Sequence, residues 1–422
     1  MCRKLSMYKR KPLPFGRFDH KTNKKGVSGV QYNFDEIINR RNTSSSKWDN
    51  VGVRVGNPDA LPMWVADTDF PCPQPVVDAV IERAKHPIYG YPFVTGDFQQ
   101  ATVDWVYKRH GWKMETEWVV FATGIVPVFN TMIQALSEEG DKIIISRPVY
   151  HPFGFAIDDN HREMSNNSLI YKDGHYTIDF EDLRRRAEDP RAKLMIISSP
   201  HNPVGRAWTE EELYKMSEIC ADNGVTIICD EIHSDLMLYG HKHIPMGMLG
   251  TEKMRNNIIT CYAPSKTFNC AGLRGSAVVV PDPELRKLLN TRFKMNRSIQ
   301  QNIFAIPALV AAYTQCEDYV EQLLPYLEKN VDFLRDYLRD KMPKIKLVEP
   351  EATYLMWLDC TELGISGDEL AKFIIHDCKV AVSRGDGFGA EGSNFIRLNI
   401  GCPTAVLKQA LDMIYAEYSK RF

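Results

Sequence analysis

The sequence predicts an α/β fold: a large domain on a mainly parallel sheet covered by helices, then a smaller α+β domain. Three observations point there. From about residue 75 to residue 280, short continuous apolar runs alternate with helical stretches, as expected of parallel strands buried on both faces. The stretches between the runs carry helix signals. After residue 316 the pattern changes to a long amphipathic segment, three strand-like stretches and a final helix.

Taken in order, the chain begins with MCRKLSMYKRKPLPFGRFDHKTNKKG, which is basic and lacks the apolar centre of a secretory signal. Residues 1–28 are expected to form a disordered arm, and residues 29–75 an N-terminal segment packed with the small domain. Within the large domain, residues 76–315, the expected strands are Val119–Phe121, Lys142–Ile145, Leu194–Ile197, Val225–Cys229, Ile258–Tyr262 and Ala277–Val280. Thr209-Glu210-Glu211-Glu212 reads as a capping box. Leu213, Met216 and Ile219 follow on one helical face, with Gly224 as the stop. In the small domain, residues 316–422, a helix is expected over residues 316–341. Strands are expected at Tyr354–Leu358, Val380–Ser383 and Asn394–Ile400, and a last helix near Ala405–Tyr418.

Composition narrows the function. The 422 residues are 44% hydrophobic and 25% charged, ordinary for a globular chain. A net charge of −2 argues against nucleic acid or an anionic membrane as partner. The longest apolar run, Phe304–Tyr313, is too short to span a bilayer and contains Pro307. Ten cysteines are scattered singly without a CxxC pair. Neither a disulfide framework nor a metal site is expected, and a reducing cytoplasm is the default.

In open α/β sheets, ligands bind beyond the carboxyl ends of the strands. Thr123-Gly124-Ile125 follows the first run and opens a helix. Ser199-Pro200-His201-Asn202-Pro203 follows Leu194–Ile197, Asp230-Glu231-Ile232-His233 follows Val225–Cys229, and Pro264-Ser265-Lys266 follows Ile258–Tyr262. One sheet edge thus collects phosphate-type backbone donors, an amide, a carboxylate and a lysine. Each alone has an ordinary structural explanation; together they suit pyridoxal phosphate. Lys266, set among small and apolar residues, would hold the aldehyde as a Schiff base. Asp230 would keep the pyridine nitrogen protonated. Gly124-Ile125 offers a helix N-terminus for the phosphate, and Arg274 a cation.

SPHNPVG, CDEIHSD, APSKTFNCAGLRG and FIRLNIGCP resemble fold-type I pyridoxal-phosphate enzymes. Upstream, FDEIINRRNTSSSKWD, LPMWVADTDFPCPQPV and YGYPF resemble the MalY/PatB branch of cystathionine β-lyase-like carbon–sulfur lyases within the class I/II aminotransferase family. The resemblance covers about residues 31–420 and implies a seven-stranded sheet and an obligatory homodimer. It places Lys266 as cofactor tether and proton carrier, Asp230 at the pyridinium, and Asn202 and His233 beside the ring hydroxyl. Tyr150 would stack on the ring. Gly124, Ile125, Ser265 and Arg274 would hold the phosphate, joined by Tyr91 from the neighbouring subunit. Arg397 would clamp the α-carboxylate of an amino-acid substrate.

The implied activity is α,β-elimination on an S-substituted cysteine, giving a thiol, pyruvate and ammonia. Amino transfer on the same fold is the alternative. Arg274 is more typical of the aminotransferases, whereas His233 in DEIH favours the lyases. Gly385-Asp386-Gly387-Phe388-Gly389-Ala390 fits a dinucleotide fingerprint, but a strand-like stretch follows it instead of a helix. A non-catalytic binding protein using the basic arm is disfavoured by the intact Lys266, Asp230 and Arg397.

Overall fold

The computed structural model describes residues 30–297 and 299–422; the basic arm expected at residues 1–28 lies outside them. Seven strands form the main sheet: β1 Val119–Ala122, β2 Lys142–Ile145, β3 Glu163–Asn166, β4 Ala192–Ser198, β5 Thr226–Asp230, β6 Ile258–Tyr262 and β7 Ser276–Val279. Their spatial order is β1-β7-β6-β5-β4-β2-β3. All run in one direction except β7, which is antiparallel to both neighbours, β1 and β6. The carboxyl ends of β1, β4, β5 and β6 therefore share an edge. Register aligns Ser198 with Asp230, and Asp230 with Cys261.

The sheet is covered on both faces, as the continuous apolar runs require. Ile143, Ile145, Leu194, Ile196, Ile228, Ile259 and Val278 bury into one cluster. Their alternating neighbours Ile144, Met195, Ile197, Ile227 and Cys229 bury into another. Each such side chain contributes about 1.5–3 kcal/mol of burial. The helix Glu210–Asp222 starts with the expected box: Thr209 and Glu212 exchange side-chain-to-backbone hydrogen bonds. Gly224, at φ +69°, supplies the left-handed turn that ends it.

Two features depart from the expected strands. The edge strand β3 carries little apolar signal, because only Ser165 in it is buried. Val380–Ser383 is divided rather than continuous. Val380–Ala381 pairs in parallel with Leu61–Pro62, while Ser383–Arg384 joins a second sheet. That sheet comprises β8 Lys346–Leu347, β9 Leu355–Asp359, β10 Ser383–Arg384 and β11 Phe395–Asn399, antiparallel in the order β8-β9-β11-β10. The long helix Glu317–Lys341 and the last helix Thr404–Arg421 pack on each other.

Residues 63–70 run as an irregular strap along this second sheet. The Met63 N–H donates to the Ala381 carbonyl, and the Asp69 N–H to Gly401. The Asn399 amide donates to the Val65 and Asp67 carbonyls. A buried charge network fixes the far end. Asp69 accepts from Lys47 Nζ at 2.8 Å, Arg40 Nη1 at 2.6 Å and Trp48 Nε1 at 2.9 Å. Lys47 is completely buried. Burial pushes the Asp69 carboxyl up, but Lys47, Trp48 and Arg40 outweigh it and hold the pKa below its ordinary value.

Removing one partner of a buried pair leaves an uncompensated charge. Lys47→Ala is therefore expected to lower stability by about 3–5 kcal/mol in urea denaturation. The wild-type contribution of Asp69 should be complete above the ordinary carboxylate pKa of about 4 and fall away as pH drops through its lowered native value. An unchanged unfolding midpoint for Lys47→Ala would remove the network from the stability account.

Candidate active site

A cavity of about 260 Å³ opens at the carboxyl edge of the main sheet. Nine residues singled out from sequence line it together: Gly124, Ile125, Tyr150, Asn202, Asp230, His233, Ser265, Lys266 and Arg274. Arg397 stands against it through Asn202. Tyr91 does not join the cavity within this chain; its side chain is fully exposed.

Each wall has a local cause. After β1 the chain turns at Gly124, whose φ of +111° lies in the region that favours glycine. The helix Ile125–Leu136 begins there without a side-chain cap. Its first turn, including Ile125 and Val126, lines the cavity, so unspent N–H groups and the positive end of the helix dipole suit an anion. The Gly124 N–H itself is engaged by Ser276 Oγ at 2.9 Å. Arg274, in a left-handed conformation at φ +52°, lines the same cavity.

β6 ends at Tyr262, and Lys266 follows in a turn. Its Nζ donates to the Ala66 carbonyl of the strap at 2.7 Å. Burial lowers the amine pKa to about 8; Arg397 also lowers it, against the pull of Asp67 and Asp230. β5 ends in two adjacent buried carboxylates that point to different surroundings. Glu231 is saturated by His243, the Met246 N–H at 2.9 Å and the Tyr262 hydroxyl. Among the described residues, Asp230 accepts only from the Ile232 N–H, at 3.2 Å. Burial raises Asp230 to about 7, offset in part by that N–H and by Lys266, with Glu231 adding to the rise. A cationic donor in the cavity would restore its charge.

Arg397 sits at the centre of β11, between Ile396 and Leu398 of the apolar core. It is 3% exposed, yet among the described residues it pairs with no carboxylate. Nη1 donates to Asn202 Oδ1 at 2.8 Å. Nη2 donates to the Trp64 carbonyl and Ser383 Oγ, each at 3.2 Å. Nε has no partner among the described residues. Burial pulls its pKa down to about 10. A buried guanidinium with neutral partners and an N–H unpaired among the described residues is chemically suited to an anion.

The remaining members are neutral. Burial, with Lys266 and Arg397 nearby, lowers the His233 pKa far below the ordinary value, and its Nδ1 has no partner among the described residues. Burial pushes the Tyr150 phenol up to about 12. Asn202 accepts from Arg397 through its oxygen and lines the cavity. The role of the strap is not legible in the sequence. LPMWVADTDF carries a motif, but the Trp64 and Ala66 contacts are made by backbone carbonyls, which no side-chain pattern announces.

The fold and this convergence define a class of protein, and comparison agrees. Residues 64–414 match the aminotransferase class I and II family. The chain belongs to that family. It is 42% identical to cystathionine β-lyase PatB of Bacillus subtilis, over 92% of this chain and all of that protein. A pyridoxal-phosphate-bound structure from Clostridium difficile, described as a putative aminotransferase, superposes with a TM-score of 0.89 at 42% identity; the match covers 92% of this chain and all of that one. The pyridoxal-phosphate-bound C–S lyase of Staphylococcus hominis superposes with a TM-score of 0.85 at 35% identity, covering 92% and 98%.

In the cofactor-free protein, labelling of Lys266 by an amine-directed reagent, followed by mass spectrometry, should be half-maximal near pH 8. Exposed lysines should respond near their usual value of about 10.4. A Lys266 profile that overlays the exposed lysines would contradict the desolvated environment.

Proposed function

We propose that this chain is a pyridoxal-phosphate-dependent carbon–sulfur β-lyase. It converts an S-substituted cysteine to a thiol, pyruvate and ammonia. The observation that carries this reading is the meeting at one sheet edge of a lysine whose pKa is lowered by burial, a buried carboxyl beside it, and a buried arginine that pairs with no carboxylate among the described residues. The residues fit the cofactor: Asp230 is an under-used buried acceptor, and the uncapped helix at Ile125 with Ser265 and Arg274 suits a phosphate. Asn202 and His233 would meet the ring hydroxyl, and Tyr150 the ring face.

Bound pyridoxal phosphate supplies an aldehyde for the substrate amine and a ring that spreads the charge left at Cα. The protein's own residues do the rest. Arg397 fixes the α-carboxylate with its forked donors. Lys266, readily neutral because of its surroundings, takes the Cα proton. Asp230 keeps a ring nitrogen protonated by opposing it with a carboxylate. Departure of the β-sulfur as thiolate leaves a three-carbon fragment that water converts to pyruvate and ammonia. Cystathionine, cysteine and other S-substituted cysteines all offer the required amine, carboxylate and β-sulfur.

The exposed loop bearing Ile88, Tyr89, Tyr91 and Phe93 supports a homodimer, with Tyr91 reaching the partner's phosphate site. The cytoplasm is the proposed place of action. Residues 29–75 and 316–422 are read as one working layer against the large domain, residues 76–315.

Purified protein given cystathionine without a keto acid should release pyruvate, and Lys266→Ala should reduce turnover to background. No pyruvate, with conversion of cystathionine to its own keto acid only when a second keto acid is added, would transfer the assignment to amino transfer. Arg397→Met should raise KM for the amino acid about 100-fold or more, since two charge-assisted hydrogen bonds are lost. A KM within a few-fold of wild type would remove Arg397 from carboxylate binding.

A further inference from the structure

A second cavity, of about 750 Å³, lies on the other side of Arg397. Three of its lining residues, Trp64, Ser383 and Phe388, are direct neighbours of that arginine. The Trp64 carbonyl and Ser383 Oγ accept from Nη2. The Phe388 ring lies 4.8 Å beneath the guanidinium. The cavity thus borders the arginine proposed to hold the substrate's α-carboxylate.

The far wall is charged. Arg54 ends the helix Val51–Val55 of the N-terminal segment, and Lys372 ends the helix Gly367–Lys372 of the C-terminal part. Both line the cavity, together with Arg384, Asp368 and Asp386. The two aspartates are already committed to Arg384, whose Nη2 lies 2.6 Å from Asp368 and 2.5 Å from Asp386. Among the described residues, neither Arg54 nor Lys372 forms an ion pair. Three cations thus line the cavity with two carboxylates, and the two cations without an ion pair among the described residues come from separate helices. The inner wall, formed by Trp64, His151, Phe155, Val382 and Phe388, is largely aromatic and suits a thioether chain.

The geometry points to this cavity as the binding site for the distal half of the S-substituent, with Arg54 and Lys372 reading a carboxylate at its end. The inference rests on the lyase reading and names the substrate class it selects: cysteine thioethers with an anionic tail. Arg397 anchors one carboxylate, and Arg54 with Lys372 anchors the other, with the scissile C–S bond between them.

The test compares S-carboxypropyl-L-cysteine with its neutral isostere S-carbamoylpropyl-L-cysteine. Pyruvate release is followed in wild-type enzyme and in Arg54→Gln, Lys372→Gln and the double variant. Wild type should favour the carboxylate about tenfold in kcat/KM. The double variant should lose that preference through KM while handling the carboxamide as wild type does. Equal efficiency on both substrates in wild type, or a preference that survives the double substitution, overturns the inference and leaves the lyase reading standing. A substitution that changes subunit association on gel filtration but not the preference assigns the cations to a subunit contact and also overturns it. Release of pyruvate from neither substrate nor cystathionine fails the lyase reading first, and this inference with it.

Discussion

The strap at residues 63–70 is the constraint on which the site depends. An irregular segment must place its carbonyls somewhere, and this one hands them to the functional side chains. Trp64 accepts from Arg397, Ala66 from Lys266, Val65 and Asp67 from Asn399, and Thr68 from Asn269 and Arg40. Lysine and arginine come from distant elements, the turn after β6 and the strand β11, and measure their separation against one short stretch of backbone. The buried Lys47–Asp69 pair holds the end of that ruler. Small displacements there would be felt at both charges together.

The site also shows how similar residues acquire different chemistry. Asp230 and Glu231 are consecutive carboxylates, both buried. Glu231 is fully hydrogen-bonded and structurally spent; Asp230 is not, and it faces the cavity. Arg397 and Arg206 are both buried arginines, but Arg206 has Glu212 and Glu351 at 3.0 Å. Unsatisfied charge in a buried setting costs stability. Its concentration around one cavity marks where the fold gives up stability for binding.

Much of this was readable beforehand. Apolar runs of four to five residues marked the central strands, because a strand buried on both faces cannot be polar. Lys142–Ile145 and Ile258–Tyr262 have the bounds expected from sequence. Residues just beyond those runs were correctly placed on one edge because parallel strands share a carboxyl end. Elements without an apolar signal were lost. The edge strand β3 buries almost nothing. The hairpin of Ile170–Lys172 and His175–Thr177 was also missed, although Asp173-Gly174 between two tyrosines, at φ +51° and +79°, is a strong turn signal. Backbone acceptors such as Ala66 are invisible in principle, since any residue type could supply them.

The Ala66 carbonyl has a second donor, the Tyr354 hydroxyl at 3.1 Å. A carbonyl oxygen has two lone pairs, and here both are in use. Were Lys266 to move off it, the Tyr354 hydroxyl would still donate, and the oxygen would not be stranded in the interior. Releasing the lysine costs one exchanged hydrogen bond and not the larger penalty of an orphaned buried acceptor. The tyrosine thereby makes a resting position that the amine could leave and re-enter with little change in energy, as the proposed proton carrier would have to on every turnover.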